Sequence, residues 1–321
     1  MLYFLKDLIF PFLHQKDLII LCVVDGLIRT NLLSKNEIID ISCKETNRIE
    51  ELSLSVEKAK RFARDDFDCI SHIMHKENIE KCTLSFDSLK FINKKIINIF
   101  KFVNDLRIEF SHFSKYDKEL FSDFAYLEKL VVKFTNSYDD SNLNFPNNLL
   151  NGLYNLKELV LKENSIRSFE SNCFSNLSSL EILDLENNHL ELLTKSCFKG
   201  LENLKILNLE GNQLQDYHMA LTDLKNLTCL HINFPLATSS HIKFEHFNSL
   251  KSLQVLKVFK IMLDDYKFVN VEDLDLPNLR FLGITSDIVP KFKYLKLNFI
   301  HIAGLKDIDE ISLNSQVDLT G

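Results

Sequence analysis

The stretch Leu156-Lys-Glu-Leu159-Val-Leu161-Lys-Glu-Asn164-Ser-Ile166 decides the fold. Its spacing recurs 24 residues on as Leu180, Leu183, Leu185, Asn188 and Leu190, and after an equal step as Leu204, Leu207, Leu209, Asn212 and Leu214. Phe174 and Phe198 follow at matching places. Side chains alternate faces along a strand, so Leu159 and Leu161 point the same way, inward, from a short strand. The asparagine falls where the chain turns away, and its amide can satisfy backbone groups that the strand leaves unpaired. The phenylalanines fill the wider half of each coil. No coil buries its apolar face alone, so neighbours must stack around a shared core with their strands in one parallel sheet.

Weaker copies extend the array. Toward the C-terminus they read Leu227/Leu230/Ile232, Leu253/Leu256/Val258 and Leu279/Leu282/Ile284; both Leu297/Ile300/Ile302 and Ile308/Ile311/Leu313 fit as the last. Toward the N-terminus they read Leu127/Leu130/Val132, Val103/Leu106/Ile108, Ile79/Cys82/Leu84 and Ile49/Leu52/Leu54. The asparagine is confined to the central three. The LxxLxLxxNxL pattern resembles the leucine-rich-repeat family. The resemblance implies an α/β leucine-rich-repeat solenoid over 38–321, of about ten to twelve units, with a parallel sheet on the concave face and helices and irregular coils on the convex face. Between copies, Val56 to Met74 reads as a helix rich in Ala, Lys and Arg, and Asn136 to Asn148 as a polar surface loop able to touch a partner.

Composition narrows the function. Net charge is −7, from 38 basic and 45 acidic residues, so no overall basic field draws the chain to nucleic acid or anionic lipid. With only 7 glycines and no GxxxxGK[ST] or GxGxxG, there is no phosphate-cradling loop and no cofactor is expected. No charge-free apolar run is long enough to insert in a membrane. The seven cysteines are scattered rather than clustered, which fits reduced, buried thiols in an intracellular protein, cytoplasmic or nuclear. Cys173 and Cys197, one repeat apart, read as stacked neighbours, with a disulfide as the alternative. Cys69, His72 and His75 invite a metal, but their helical spacing spreads them around the axis and no fourth ligand is near, so no metal is expected. No nucleophile elbow or metalloprotease helix is present, and no enzyme activity is expected.

Residues 1–37 form a separate reading. Lys6, Asp7, His14, Lys16 and Asp17 interrupt the apolar run, and no small-residue cleavage site follows, against a secretory signal. Leu5, Leu8, Ile9, Phe12 and Leu13 have helical spacing, and Asp17 stands as an N-cap before Leu18, Leu21, Cys22 and Val24. The result is two short helices joined at His14-Gln15-Lys16, with Ile38 to Ile41 as a following strand. Ile9, Phe10, Phe12, Leu13, Asp17, Leu18, Leu21 and Val24 resemble the F-box, a helical module that docks substrate receptors onto a cullin-based ubiquitin ligase. The resemblance implies that Ile9, Phe10, Leu13, Leu18, Leu21 and Val24 meet the ligase adaptor. Against it, the Leu-Pro opening is missing and Pro11 falls inside the first helix. A cap covering the first repeat is the other reading of 1–37.

On the repeat fold, the strand positions flanking each inward pair form the concave face. The candidates for holding a protein partner are Val160, Lys162, Asp184, Glu186, Asn208, Glu210, His231, Lys257, Phe259 and Phe281. Arg107, Glu109, Lys129 and Lys133 lie on earlier strands, so the face grades from basic to acidic to partly aromatic. The expected function is non-catalytic protein recognition, most concretely as an F-box substrate receptor. The alternatives are a secreted or receptor-type protein, since the 24-residue units resemble those of Toll-like receptors, and a cytosolic scaffold. Asn176-Leu-Ser178 and Asn226-Leu-Thr228 match the glycosylation sequon.

Overall fold

A computed structural model describes residues 38–45, 49–57, 80–87, 91–92, 94–111, 115–116, 119–135, 143–145, 148–215, 217–233, 241–259, 268–270, 274–285, 299–303 and 317–320. The helical module expected over 1–37, with its adaptor contacts, lies outside them. So do Cys69, His72 and His75. Contacts divide the chain into two units, Met1–Asp140 with Asn148–Leu156, and Ser141–Asn147 with Lys157–Gly321.

In the first unit, β1 (Ile38–Glu45), β2 (Ile49–Glu57), β3 (Lys81–Asp87), β5 (Asp105–Ser111) and β7 (Lys129–Thr135) form one ladder. Apart from β1, these strands run parallel, in the register that aligns Leu52, Cys82, Leu106 and Leu130. The pairs Cys82/Leu84, Leu106/Ile108 and Leu130/Val132 are buried, as the alternation requires. Strand β1 instead pairs antiparallel with β2, Ile41 opposite Leu54. It closes one edge of the ladder with a hairpin rather than adding another parallel coil. Val56 and Glu57 belong to β2, so the segment expected as helix from Val56 begins as strand. On the return side, β4 (Phe91–Ile92) pairs with β6 (Lys115–Tyr116), and a single helical turn, α1 (Lys94–Ile97), places Lys94 2.9 Å from Asp123.

The second unit holds β9 (Glu158–Val160), β11 (Ile182–Asp184), β12 (Ile206–Leu209), β13 (Cys229–Asn233), β15 (Val255–Phe259), β17 (Phe281–Thr285), β18 (Phe299–Ala303) and β19 (Val317–Thr320), all parallel in sequence order. Leu159, Leu183, Leu207, Leu230, Leu256 and Leu282 stack in register and are fully buried. Ile300 pairs with Leu282 and Ile302 with Ile284, which settles the last expected repeat in favour of Leu297/Ile300/Ile302. A further strand follows, with Val317 beside Ile300 and Leu319 beside Ile302.

The return segments carry little helix among the described residues: α2 (His218–Leu221) and a 3-10 turn at Phe244–Phe247. Short extended pieces replace the helices expected there. β8 (Leu143–Phe145) pairs parallel with β10 (Ile166–Phe169), and β14 (His241–Lys243) with β16 (Phe268–Asn270). The segment read as an irregular loop from Asn136 therefore contains a strand. Phe145 is buried there, 5.7 Å from Phe169 between ring centroids, and that packing outweighs the polar neighbours that suggested a loop. Phe174 stacks on Phe198 at 6.2 Å, and Tyr217 on Phe247 at 5.7 Å, so aromatic rings fill the half opposite the sheet. Cys173 and Cys197 are free and buried, as the thiol reading expected; burial pushes both thiols up, Cys197 to about 12, so they stay protonated small hydrophobes.

Two asparagine series tie coil to coil. In the first, Asn188 is 1% exposed and fully engaged. Its Oδ1 accepts from the backbone N–H of Asn164 (3.1 Å) and Ile166 (3.0 Å), and its Nδ2 donates to the carbonyls of Leu161 and Leu185, each 2.9 Å. Asn212 repeats this one coil on, accepting from Leu190 and donating to Leu185 and Leu209. Asn233, at a strand position that flanks the inward pair Leu230/Ile232, is buried and accepts from Gly211 and Asn212. It does part of the same work although it sits directly after Ile232 rather than three residues later, where Pro235 stands.

The second series stands three residues before the strands that begin at Glu158, Ile206, Cys229 and Phe281. Asn203 donates to Ser178 O (2.8 Å), Asn226 to Glu202 O (2.8 Å) and Asn278 to Lys251 O (2.9 Å); in the first unit Asn155 donates to Ala125 O (2.7 Å). These amides are exposed, where a hydrogen bond nets about 0.5–1.5 kcal/mol. Asn203→Ala should therefore lower unfolding free energy by about 1 kcal/mol in urea titration.

Candidate functional site

The face of the second-unit sheet opposite the core carries three rows, because each strand presents every second side chain to the same side. The first row runs Glu158, Ile182, Ile206, Cys229, Val255 and Phe281 in strict register. The second runs Val160, Asp184, Asn208, His231, Lys257 and Gly283. Lys162, Glu186 and Glu210 follow the strands as a third. Of the ten candidates, Val160, Asp184, Glu186, Asn208, Glu210, His231, Lys257 and Phe281 are half-buried on this face, and Lys162 is exposed. The backbone of Phe259 pairs with Asn233, and its side chain lies outside the described residues. Ile182, Ile206 and Val255 stand at outward positions that the spacing also marks, though not among the ten candidates, and with Cys229, which it did not mark, they make the first row apolar from β11 to β17.

Charges on the face are unevenly satisfied. In the first unit, Arg107, one of the basic residues expected there, turns back on Glu109 of its own strand at 2.7 Å. In the second unit, Asp184, Glu186 and Glu210 make no ion pair among the described residues. Their hydrogen bonds come from neutral groups: Glu186 N to Asp184 Oδ1 (3.1 Å), and Asn187 (3.1 Å) and Asn208 (3.2 Å) to Glu186. Burial, with Glu186 nearby, holds the carboxyls of Asp184 and Glu210 above their usual range, while Lys162 and Lys257 pull each partly back. Burial, with Lys257 beside it, pushes His231 down, so it is neutral at pH 7. Burial raises the Cys229 thiol, which is no nucleophile at neutral pH.

Phe281 and Lys257 lean together over Gly283. The Lys257 ammonium stands 5.9 Å from the Phe281 ring centroid, and a Cβ on Gly283 would meet the ring at 3.0 Å and the lysine stem at 3.3 Å. Among the described residues no cluster of His, Cys, Asp or Glu is placed to hold a metal, and no helix is long and apolar enough to cross a membrane.

The raised carboxyls fix a sign. The folded state binds more protons than the unfolded one between the usual carboxylate range and the raised values, so this cluster costs stability above that window and the cost disappears as pH falls through it. Asp184→Asn with Glu210→Gln should therefore raise the melting temperature at pH 7. The gap to wild type should close toward pH 4. Taking the difference cancels His231 and the other titrating groups, which both proteins share.

A leucine-rich-repeat family model matches residues 143–190 and 182–234. No curated protein sequence matches the chain. Among solved structures, the Drosophila Toll–Spätzle complex matches with TM-score 0.58 at 14% identity, over 92% of this chain and 46% of that one. The glycosylated form of that complex gives 0.60 at 14%, over 89% and 42%. An internalin from Listeria monocytogenes gives 0.47 at 15%, over 85% and 82%. The chain thus spans less than half of the Toll-complex chains it matches. At these identities the Toll complexes speak to the fold alone. Residues 143–234 thus match the leucine-rich-repeat family, and the chain has the fold of a leucine-rich-repeat solenoid.

Proposed function

We propose that the chain is a non-catalytic recognition protein that holds a protein partner against the exposed face of its second-unit sheet. The apolar row from Ile182 to Phe281 carries this reading. Ile206 is 36% exposed in the middle of a sheet, where a water-facing row is ordinarily polar. Toll, in the complex with Spätzle, is a relative in fold whose structure contains a protein partner. A photo-crosslinking residue at Ile206 should capture a protein, and one at exposed Lys199 should not. Equal capture at both sites would sink the reading.

The finer reading is a substrate receptor, intracellular, whose residues Ile9, Phe10, Leu13, Leu18, Leu21 and Val24 dock on a cullin adaptor while the sheet face holds the substrate. Its support is the spacing of those residues. Leu13→Asp with Leu18→Asp should release adaptor and cullin from the purified protein and leave the repeats folded. Absence of both from the intact protein would exclude this role. The fold and the 24-residue units with Phe174 and Phe198 support a receptor-type protein instead. Sugar on Asn176 or Asn226 of the mature protein would decide for it.

A further inference from the structure

We infer that the occupant of this face is an extended segment of another protein in which an aliphatic residue stands two positions from a lysine or arginine. The inference rests on the recognition reading and gives the partner its chemistry. Outward positions along one strand are about 6.7 Å apart, the spacing of residues i and i+2 in any extended chain. Ile182, Ile206 and Val255 supply apolar ground at one such position. Asp184, Glu186 and Glu210 supply negative charge one or two positions farther on.

Three carboxylates without an ion pair among the described residues are an incomplete arrangement. The Asn208 amide holds Glu186 toward its neighbours at 3.2 Å rather than letting it swing into solvent. A cation arriving from outside would relieve their mutual repulsion, and burying it beside the aliphatic row would exclude water and strengthen the pairing. The chain's own lysines serve only in part. Lys257 rests over Phe281, and Lys162 forms no ion pair with Asp184 among the described residues. The Lys257–Phe281 side marks the limit of the negative ground, so it repels a second cation placed there and sets the segment's direction.

Selection of a phage-displayed random dodecapeptide library on the full chain tests this. The expected peptides carry Lys or Arg two positions from Leu, Ile or Val, and scrambled versions of equal composition bind at least tenfold more weakly. Glu186→Gln with Glu210→Gln should weaken them at least tenfold while raising the melting temperature, a pairing that misfolding does not produce. Ile206→Asp should weaken them comparably, with circular dichroism confirming the fold. Selected peptides that are acidic, lack a cation or ignore the glutamate substitutions, yet lose binding with Ile206→Asp, overturn the partner chemistry and leave the recognition reading standing. Peptides indifferent to Ile206→Asp overturn both.

Discussion

Asn188→Leu is expected to cost about 4 kcal/mol or more, the largest loss expected from replacing a single polar side chain of the repeat core. Leucine fills the space, so no cavity confuses the result. What disappears is the partner of three backbone groups, the N–H of Asn164 and Ile166 and the carbonyl of Leu161, and one of the two donors to the carbonyl of Leu185, which Asn212 still reaches. Each buried group left unpaired costs about 1–3 kcal/mol. Small backbone shifts and entering water recover part of that, so the sum is not the full cost of all three. The measurement is the urea midpoint at constant m-value, with exposed Lys195→Ala as a control expected within about 0.5 kcal/mol. A loss near 1 kcal/mol would mean that the turn satisfies itself without the side chain.

Gly200→Ala comes next, at about 3 kcal/mol. Its φ is 96°, where a Cβ is strained, and that Cβ would stand 2.6 Å from Ser175 Cα and 2.7 Å from Ser175 O. The obstacle is backbone of the preceding coil, which cannot rotate aside, so the two coils must part. Strain of about 1–2 kcal/mol and overpacking of about 1–3 kcal/mol add. The stiffer unfolded chain returns only about 0.4–1 kcal/mol. Gly283→Ala makes the comparison, because its contacts are the Phe281 ring and the Lys257 stem, which can move. It should cost less than half as much but disturb the binding face.

The sequence made the central coils legible because leucine spacing and strand alternation are one constraint stated twice. Where the constraint loosens, reading falters for identifiable reasons. Val317 and Leu319 follow Ile300 and Ile302 at a shorter step than any earlier pair, so no period announces them. Asn233 is invisible to a fixed template, since it serves from an earlier place in its coil. The direction of β1 is not written in Ile38 to Ile41, because alternation specifies which face is buried and not which way a strand runs. The second asparagine series was present in plain sight as the dipeptide Asn-Leu at 155–156, 203–204, 226–227 and 278–279. For the site, the charged candidates could be placed by counting. The apolar row could not be valued until the register put Ile182, Ile206, Cys229 and Val255 side by side.

The asparagine rungs also set where the array can change its length. From Leu156 to Leu214 each coil is bound to its predecessor by amides that reach a fixed distance, so one inserted residue would pull Asn188 or Asn212 out of range of both neighbours. Among the described residues no buried asparagine rung follows Asn233, and the step to the next repeat widens. There the strand ladder, the apolar stack and exposed bonds such as that of Asn278 to Lys251 O join the coils, so a longer return segment breaks no buried side-chain bond. The central coils are a fixed-pitch thread. An engineered insertion meant to keep these rungs intact belongs downstream of Asn233.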